Sequence, residues 1–110
     1  MFNKISIIGC GLIGSSILRA VEEKKLASKI SAYDKSSKVN EYLKKNFSVE
    51  ICTNISDVVK DSDLVIIASP LSSYKEILLS IQSNLKENVI LTDTGSAKKE
   101  VNKIISNLNL

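Results

Sequence analysis

The sequence predicts an α/β fold in which a five-stranded parallel sheet is covered by helices on both faces. Short β-branched segments alternate with segments of helical periodicity along all 110 residues, which is typical of parallel strands joined by right-handed helical crossovers. Residues 64–68 are entirely apolar, as expected at the centre of a sheet covered on both faces. The single proline and the four glycines all lie where a predicted strand meets a predicted helix: Pro70, Gly9, Gly11, Gly14 and Gly95.

Five runs rich in β-branched residues are predicted as strands, at residues 4–9, 29–34, 49–52, 64–68 and 88–93. The segments between them carry apolar residues three or four positions apart, which is the helical period. They are predicted as helices at residues 12–24, 38–47 and 97–108, with two more that run from their caps to about 60 and about 85. The candidate N-caps are Asn54, Ser72 or Ser73, and Ser96.

We expect the strand order 3-2-1-4-5, with ligands bound where the order reverses between the first and fourth strands. No linker, internal repeat or low-complexity tract interrupts the pattern. Residues 1–110 are therefore predicted to form one domain, which is an ordinary size for a domain.

Composition excludes several classes of function. The 15 Lys and Arg residues exceed the 12 Asp and Glu residues only slightly, and one of them is Arg, so we expect no nucleic-acid partner. With two cysteines and no histidine, we expect no metal site. The longest apolar run, residues 64–68, is too short to cross a bilayer, and the N-terminus lacks a signal-peptide pattern. We therefore expect a cytoplasmic protein with no membrane contact.

A glycine motif carries the clearest chemistry. Residues 9–14 read G-x-G-x-x-G between the first strand and the first helix, and Asp34 follows at the end of the second strand. In this context the motif indicates a Rossmann-type dinucleotide site. Gly9 permits the tight turn, Gly11 lets the backbone approach a pyrophosphate, and Gly14 lets the helix pack closely. Leu12 and Ile13 begin the helix, whose free N–H groups favour phosphate.

The residues after the second strand bear on which dinucleotide is bound. Asp34 is placed to accept hydrogen bonds from the adenosine ribose hydroxyls, and its charge repels a 2′-phosphate, so it favours NAD. Lys35, Ser36 and Ser37 follow directly and would donate to a 2′-phosphate if Asp34 turned aside. NADP therefore remains an alternative, and a solvated loop with a helix cap is the simpler interpretation of these three residues.

Two further strand ends face the same edge of the predicted sheet. Ser69 and Pro70 follow the fourth strand and are predicted to face the middle of the dinucleotide, although a proline that merely ends a strand explains Pro70 equally well. Ser96 follows the fifth strand, near the nicotinamide end, although a plain N-cap explains it as well. Cys10 lies within the glycine motif, where a helix N-terminus lowers a thiol pKa, but without a neighbouring histidine we interpret it as a small filler. A disulfide between Cys10 and Cys52 is not expected across the intervening strand.

The same residues resemble a known family. Residues 7–16 with Arg19 and Ala20 after them, then 32–34, 65–70 and 92–98, resemble successive landmarks of the prephenate dehydrogenases, which include arogenate and cyclohexadienyl dehydrogenases. The segment D-x-G-S-x-K at 93–98 is the most specific of these, because it is no part of the general dinucleotide fingerprint. Thr94 departs from the usual residue without consequence.

The resemblance implies an oxidoreductase that decarboxylates prephenate or arogenate oxidatively, on the route to tyrosine, while a hydride passes to NAD⁺ or NADP⁺. It implies that Gly9, Gly11, Gly14 and Asp34 hold the cofactor and that Ser96 contacts substrate and nicotinamide. It also implies a catalytic histidine, substrate-binding arginines and a helical dimer-forming domain that this chain does not contain. Arg19 is given a structural role only. The chain alone is expected to bind cofactor without catalysing the reaction.

Two other interpretations of the function remain open. Other dehydrogenases, such as β-hydroxyacid dehydrogenases or pyrroline carboxylate reductases, share the glycine motif but lack D-x-G-S-x-K. Nucleotide-sensing regulatory domains also combine a glycine loop with a distal acid, and they are not enzymes.

Overall fold

The structure is a computed structural model that describes residues 2–93. The strands are β1 (Phe2–Ile8), β2 (Ala27–Tyr33), β3 (Glu50–Ile51), β4 (Leu64–Ile67) and β5 (Ile90–Asp93). The helices are α1 (Leu12–Glu23), α2 (Ser37–Asn46), α3 (Ile55–Val58) and α4 (Tyr74–Ile81). The helix predicted at 97–108 and the candidate cap Ser96 lie outside the described residues.

The five strands form one parallel sheet in the order β3-β2-β1-β4-β5, as predicted. Strand β1 is central, because Ile7 is in register with Ala32 of β2 and Ile66 of β4. Strands β2 and β3 therefore extend the sheet to one side of β1, and β4 and β5 extend it to the other side, so the strand order reverses between β1 and β4. This is the position at which open parallel sheets bind ligands, beyond the carboxyl ends of their strands.

Alternation along the strands divides the apolar core into two layers. Ile5 and Ile7 of β1 face one side of the sheet and pack with Leu18 of α1 and Leu43 of α2. Ile8 faces the other side and joins a cluster that includes residues of α3 and α4, namely Val58, Tyr74, Leu78 and Ile81. Since successive strand side chains point to opposite faces, a short β-branched run supplies both layers. On the first side, the Arg19 guanidinium lies 5.6 Å from the centroid of the Phe47 ring, which is a structural contact between α1 and the end of α2.

The sequence predicted the positions of these helices and strands more accurately than the residues at which they begin and end. The Asn54 cap is confirmed, since its Oδ1 accepts the Ser56 N–H at 3.0 Å. Ser73 is the N-cap residue of the fourth helix, as predicted, but its side chain makes no capping hydrogen bond. Residues Leu71–Ser73 instead form a 3₁₀ turn before α4, and a second 3₁₀ turn, Gln82–Asn84, follows it. Helix α4 is therefore shorter than its apolar pattern predicts.

Asp63 ties together the amino ends of three strands, at the edge opposite the glycine motif. Its Oδ2 accepts the N–H groups of Asn3 and Lys4 at 2.7 Å and 3.3 Å. Its Oδ1 accepts a hydrogen bond from Lys86, and its carbonyl accepts the Ile90 N–H at 2.9 Å. One residue before β4 thereby orders the starts of β1 and β5. Over residues 2–93, no helix is both long enough and apolar enough to span a membrane.

Candidate functional site

The turn that follows β1 requires glycine at position 9. Gly9 has a φ of +83°, a conformation that favours glycine, which confirms the predicted tight turn. A Cβ on Gly9 would also lie 2.2 Å from Ser69 Oγ and 2.8 Å from Ser69 N. The Gly9 N–H donates to the Tyr33 carbonyl at 2.8 Å, and the Ala68 N–H donates to the Ile8 carbonyl at 2.8 Å. The turn is thus tied to the ends of both neighbouring strands.

Gly14 allows the first turn of α1 to lie directly on this turn. A Cβ on Gly14 would lie 2.2 Å from the Gly9 carbonyl oxygen and 3.4 Å from Ala68 Cβ. The predicted close packing at Gly14 is confirmed, and its partner is the backbone of the glycine turn itself. Ser15 adds a second link, because its Oγ donates to the Cys10 carbonyl at 2.8 Å.

Gly11 differs from the other two glycines because a Cβ at this position would have no atom within 4 Å. Gly11 is the N-cap of α1, with φ −66°, and the first turn contains no acidic residue. The first N–H groups of any helix have no intrahelical acceptor and carry partial positive charge. Leu12 and Ile13 begin the helix here, as predicted. The exposed backbone at Gly11 therefore leaves room for an anion beside a positive helix end.

Asp34 lies directly after β2 and reaches back to the glycine turn. Its Oδ2 accepts the Cys10 N–H at 2.8 Å, and its Oδ1 accepts the Ser36 N–H at 2.9 Å. An ionised carboxylate offers about four lone-pair sites, so both oxygens retain acceptor capacity toward a further donor. The carboxylate is therefore oriented by two backbone groups before any ligand is present.

Asn40 is a functional candidate that sequence reasoning missed. From α2, its Oδ1 accepts the Asp34 N–H at 3.1 Å, and its Nδ2 donates to the Asp34 carbonyl at 2.9 Å. One amide thus pairs both backbone polar groups of Asp34. The only signal in the sequence was a residue of modest helix propensity near the start of α2, which does not by itself reveal a tertiary partner.

The residues that follow Asp34 take structural roles in part. Ser36 caps α2, because its Oγ accepts the Val39 N–H at 3.4 Å, so the helix-cap interpretation of Ser36 is confirmed. Lys35 and Ser37 are exposed. Their contact with a phosphate stays a prediction.

Neither cysteine has the environment of a reactive thiol. Cys10 is 1% exposed, and burial, with a further contribution from the charge of Asp34, raises its pKa to about 12. The Cys10 thiol is therefore buried and not activated, which agrees with its interpretation as a small filler. Cys52 is also free and buried, and it lies in the other core layer from Cys10. No disulfide joins them, as expected.

The segment after β4 completes the described part of the site. Ser69 is half-buried against Gly9, and Pro70 is exposed with its carbonyl accepting the Ser73 N–H at 2.9 Å. Gly9, Gly11, Asp34 and Ser69 are therefore grouped at the carboxyl edge of the sheet, around the reversal between β1 and β4. The fifth predicted contributor, Ser96, lies outside residues 2–93. Within that range no group of three or more potential metal ligands occurs.

Comparison with known proteins agrees with this geometry. Residues 4–96 match the family described as NADP oxidoreductase, coenzyme F420-dependent. A cyclohexadienyl dehydrogenase from Zymomonas mobilis is 36% identical over 106 residues, covering 96% of this chain and 36% of that protein. A prephenate dehydrogenase from Lactococcus lactis is 31% identical over 106 residues, covering 96% of this chain and 30% of that protein. The chain thus spans about a third of the length of these curated relatives.

A solved structure shows the same fold. The prephenate dehydrogenase from A. aeolicus, crystallised with hydroxyphenyl propionate and NAD⁺, superimposes with a TM-score of 0.86 at 24% identity. The match covers 98% of this chain and 38% of that one. The Rossmann-type architecture predicted from the glycine motif is therefore confirmed.

Proposed function

The chain belongs to the family described as NADP oxidoreductase, coenzyme F420-dependent, and from this premise we propose that it is the NAD-binding domain of a prephenate dehydrogenase. The observation that carries the proposal is the carboxylate of Asp34, held against the glycine turn by the Cys10 N–H at 2.8 Å. It lies on the same edge as the open space at Gly11. The two features fit the ribose and the pyrophosphate of an ADP group.

Each residue of the site has a distinct part in this proposal. The N–H groups at the start of α1, including those of Leu12 and Ile13, bind the pyrophosphate beside Gly11. Asp34 accepts hydrogen bonds from the adenosine ribose hydroxyls and repels a 2′-phosphate. Gly9 and Ser69 contact the middle of the dinucleotide. The bound cofactor supplies a hydride acceptor, and these residues orient it.

The preference for NAD over NADP rests on how Asp34 is held. To admit a 2′-phosphate, the carboxylate would have to leave the N–H groups of Cys10 and Ser36, which it accepts at 2.8 Å and 2.9 Å. Ser36 Oγ is already engaged as the cap of α2. Ser36 keeps its hydroxyl proton as a donor, and Lys35 and Ser37 are exposed. Because a 2′-phosphate must nevertheless displace the carboxylate from both N–H groups, the arrangement favours NAD.

Calorimetric titration of this chain with NAD⁺ and NADP⁺ tests the binding proposal. We expect NAD⁺ to bind more tightly, and Asp34→Ala to weaken NAD⁺ binding about tenfold or to reverse the preference, since charge-assisted hydrogen bonds to the ribose are lost. Asp57→Ala is the matched control, because Asp57 is exposed on α3 and pairs only with Lys60 among the described groups. Absence of binding by either dinucleotide would contradict the proposal.

For the whole protein, we infer oxidative decarboxylation of prephenate or arogenate. This inference is supported by the two curated relatives at 36% and 31% identity and by the D-x-G-S-x-K segment at 93–98. The chain contains no histidine, so the proton acceptor for the substrate hydroxyl would come from elsewhere in the protein. Ser96 is proposed to contact substrate and nicotinamide. We also infer a cytoplasmic homodimer that is formed through residues outside this chain.

An assay of the full-length protein tests the reaction. With NAD⁺ present, prephenate or arogenate should produce NADH and CO₂ in equal amounts, and Ser96→Ala should lower kcat. Light scattering of the same sample tests the homodimer. Turnover of a β-hydroxyacid in place of prephenate and arogenate would favour another dehydrogenase. Nucleotide binding without turnover of either class of substrate would favour a regulatory domain.

A further inference from the structure

We propose that Asn40 is a positioning residue that sets which nicotinamide dinucleotide the site accepts. It acts through Asp34, whose N–H and carbonyl pair with the Asn40 amide at 3.1 Å and 2.9 Å. The proposal rests on the proposed function, because it concerns the specificity of the same site. In this role Asn40 acts through Asp34 and needs no contact with the ligand itself.

Asp34 needs such support because it lies just beyond the end of β2. The last ladder contact on the β3 side is the Cys52 N–H donating to the Ala32 carbonyl, and on the β1 side the Gly9 N–H donates to the Tyr33 carbonyl. Strand pairing therefore orders the chain up to Tyr33 and stops there. The Asn40 amide provides one donor and one acceptor to the next residue, as a neighbouring strand would.

Holding the backbone of Asp34 also aims its side chain. The direction of the Cα–Cβ bond is set by the backbone, so a residue whose N–H and carbonyl are both engaged presents its carboxylate along one direction. That direction leads to the Cys10 N–H at 2.8 Å and the Ser36 N–H at 2.9 Å. Asp34 is thus held at four polar groups, two of them by Asn40.

Specificity follows from whether the carboxylate can turn aside. NAD binding needs the carboxylate at the ribose hydroxyls, whereas a 2′-phosphate needs it withdrawn and a cation such as Lys35 brought closer. With Asn40 in place, withdrawal would require rotation of a backbone that the amide holds at both ends. Without Asn40, the segment from Asp34 to Ser36 is freer to rotate, and the repulsion of a 2′-phosphate weakens.

The test compares two asparagines of the same helix. Asn40→Ala removes both hydrogen bonds to Asp34, whereas Asn46→Ala removes an exposed bond within α2, from Asn46 Nδ2 to the Tyr42 carbonyl. We expect Asn40→Ala to weaken NAD⁺ binding about tenfold, as when one or two net hydrogen bonds are lost, and to leave NADP⁺ binding within about twofold. The ratio of the dissociation constant for NADP⁺ to that for NAD⁺ should therefore fall in Asn40→Ala. Asn46→Ala should leave this ratio unchanged.

A double variant shows whether Asn40 acts through Asp34. In the Asp34→Ala background the discriminating carboxylate is gone, so adding Asn40→Ala should not change the ratio further. If Asn40→Ala changed the ratio of dissociation constants equally in the unaltered chain and in the Asp34→Ala variant, the proposal would be overturned. Asn40→Asp keeps the shape and the acceptor but loses the donor to the Asp34 carbonyl. It should also lower the ratio, and it provides a second measurement if Asn40→Ala fails to fold.

A nucleotide-free readout separates this proposal from the proposed function. Amide hydrogen exchange at Cys10, whose N–H donates to Asp34 Oδ2, should accelerate in Asn40→Ala and not in Asn46→Ala. An unchanged exchange rate together with an unchanged ratio would overturn the role of Asn40 and leave the binding proposal intact. If the unaltered chain binds neither dinucleotide, the proposed function and the specificity role both fail. The exchange rate then reports only whether Asn40 orients Asp34.

Discussion

The carbonyl oxygen of Gly9 occupies the place into which a Cβ on Gly14 would project, 2.2 Å from its ideal position. Both groups belong to the backbone, so neither can rotate away as the end of a flexible side chain could. The first turn of α1 is therefore seated on the turn that precedes it. This contact places the positive end of the helix at the edge where the nucleotide is proposed to bind.

Gly14→Ala should destabilise the fold. The added methyl group would collide with the Gly9 carbonyl, and relief requires a shift of α1 or of the turn. Overpacking of this kind typically costs about 1–3 kcal/mol of unfolding free energy. Urea denaturation followed by circular dichroism measures the loss. Stability equal to that of the unaltered chain would show that the helix can move away at no cost.

Gly11→Ala should weaken nucleotide binding more than it weakens the fold. Its Cβ would meet no atom within 4 Å. Since Gly11 is the N-cap of α1 and alanine is a poorer N-cap than glycine, we expect the unfolding free energy to fall by only about 1 kcal/mol or less. Binding of NAD⁺ should weaken, because the methyl group enters the space proposed for the pyrophosphate. Calorimetry measures the dissociation constant for NAD⁺, and urea denaturation of the same preparation measures the unfolding free energy. Unimpaired binding would place the phosphates elsewhere.

Asp63 should make stability depend on acid pH. The hydrogen bond from Lys86 and then that from the Asn3 N–H lower its pKa below the ordinary value of 3.8. Since the folded pKa lies below the unfolded one, the stabilisation is present above about pH 4 and is lost as pH falls through the folded pKa. Thermal melts from pH 6 to pH 2 should show this loss, and Asp63→Asn should reduce it. Lys86→Met should reduce it partly, and an unaltered profile in both variants would contradict the assignment.

The two thiols should resist alkylation while the protein is folded. The pKa of Cys10 is raised to about 12 by burial and by Asp34, and burial also raises that of Cys52. Iodoacetamide at pH 8 should therefore label neither in the native protein and both in urea, as read by mass spectrometry. Because the folded pKa of Cys10 exceeds the unfolded value of 9.0, its contribution to stability should also decline as pH rises from about 9 toward 12. Rapid native labelling of Cys10 would contradict its burial.

Within residues 2–93, sequence periodicity was sufficient for the existence and order of the elements but not for their ends. Strand β2 begins at Ala27, two residues earlier than predicted, because Ala27 is in register with Phe2 of β1. Helix α4 is bounded by 3₁₀ turns that the apolar pattern does not distinguish from α-helix. A local pattern reports which face is buried, whereas register and turn type depend on the neighbouring strand or loop.

What the sequence by itself determined is the sheet order, the glycine turn and the acid after the second strand, since each depends on residue types at short and regular spacing. Only the tertiary structure decided what those residues contact. It placed Gly14 on the Gly9 carbonyl, directed the Asp34 carboxylate to the Cys10 N–H, buried the Cys10 thiol, and brought Asn40 to the end of β2. These outcomes depend on how one helix is seated against the end of a strand. Spacing along the chain does not specify that geometry, because it is set by packing on both faces of the sheet.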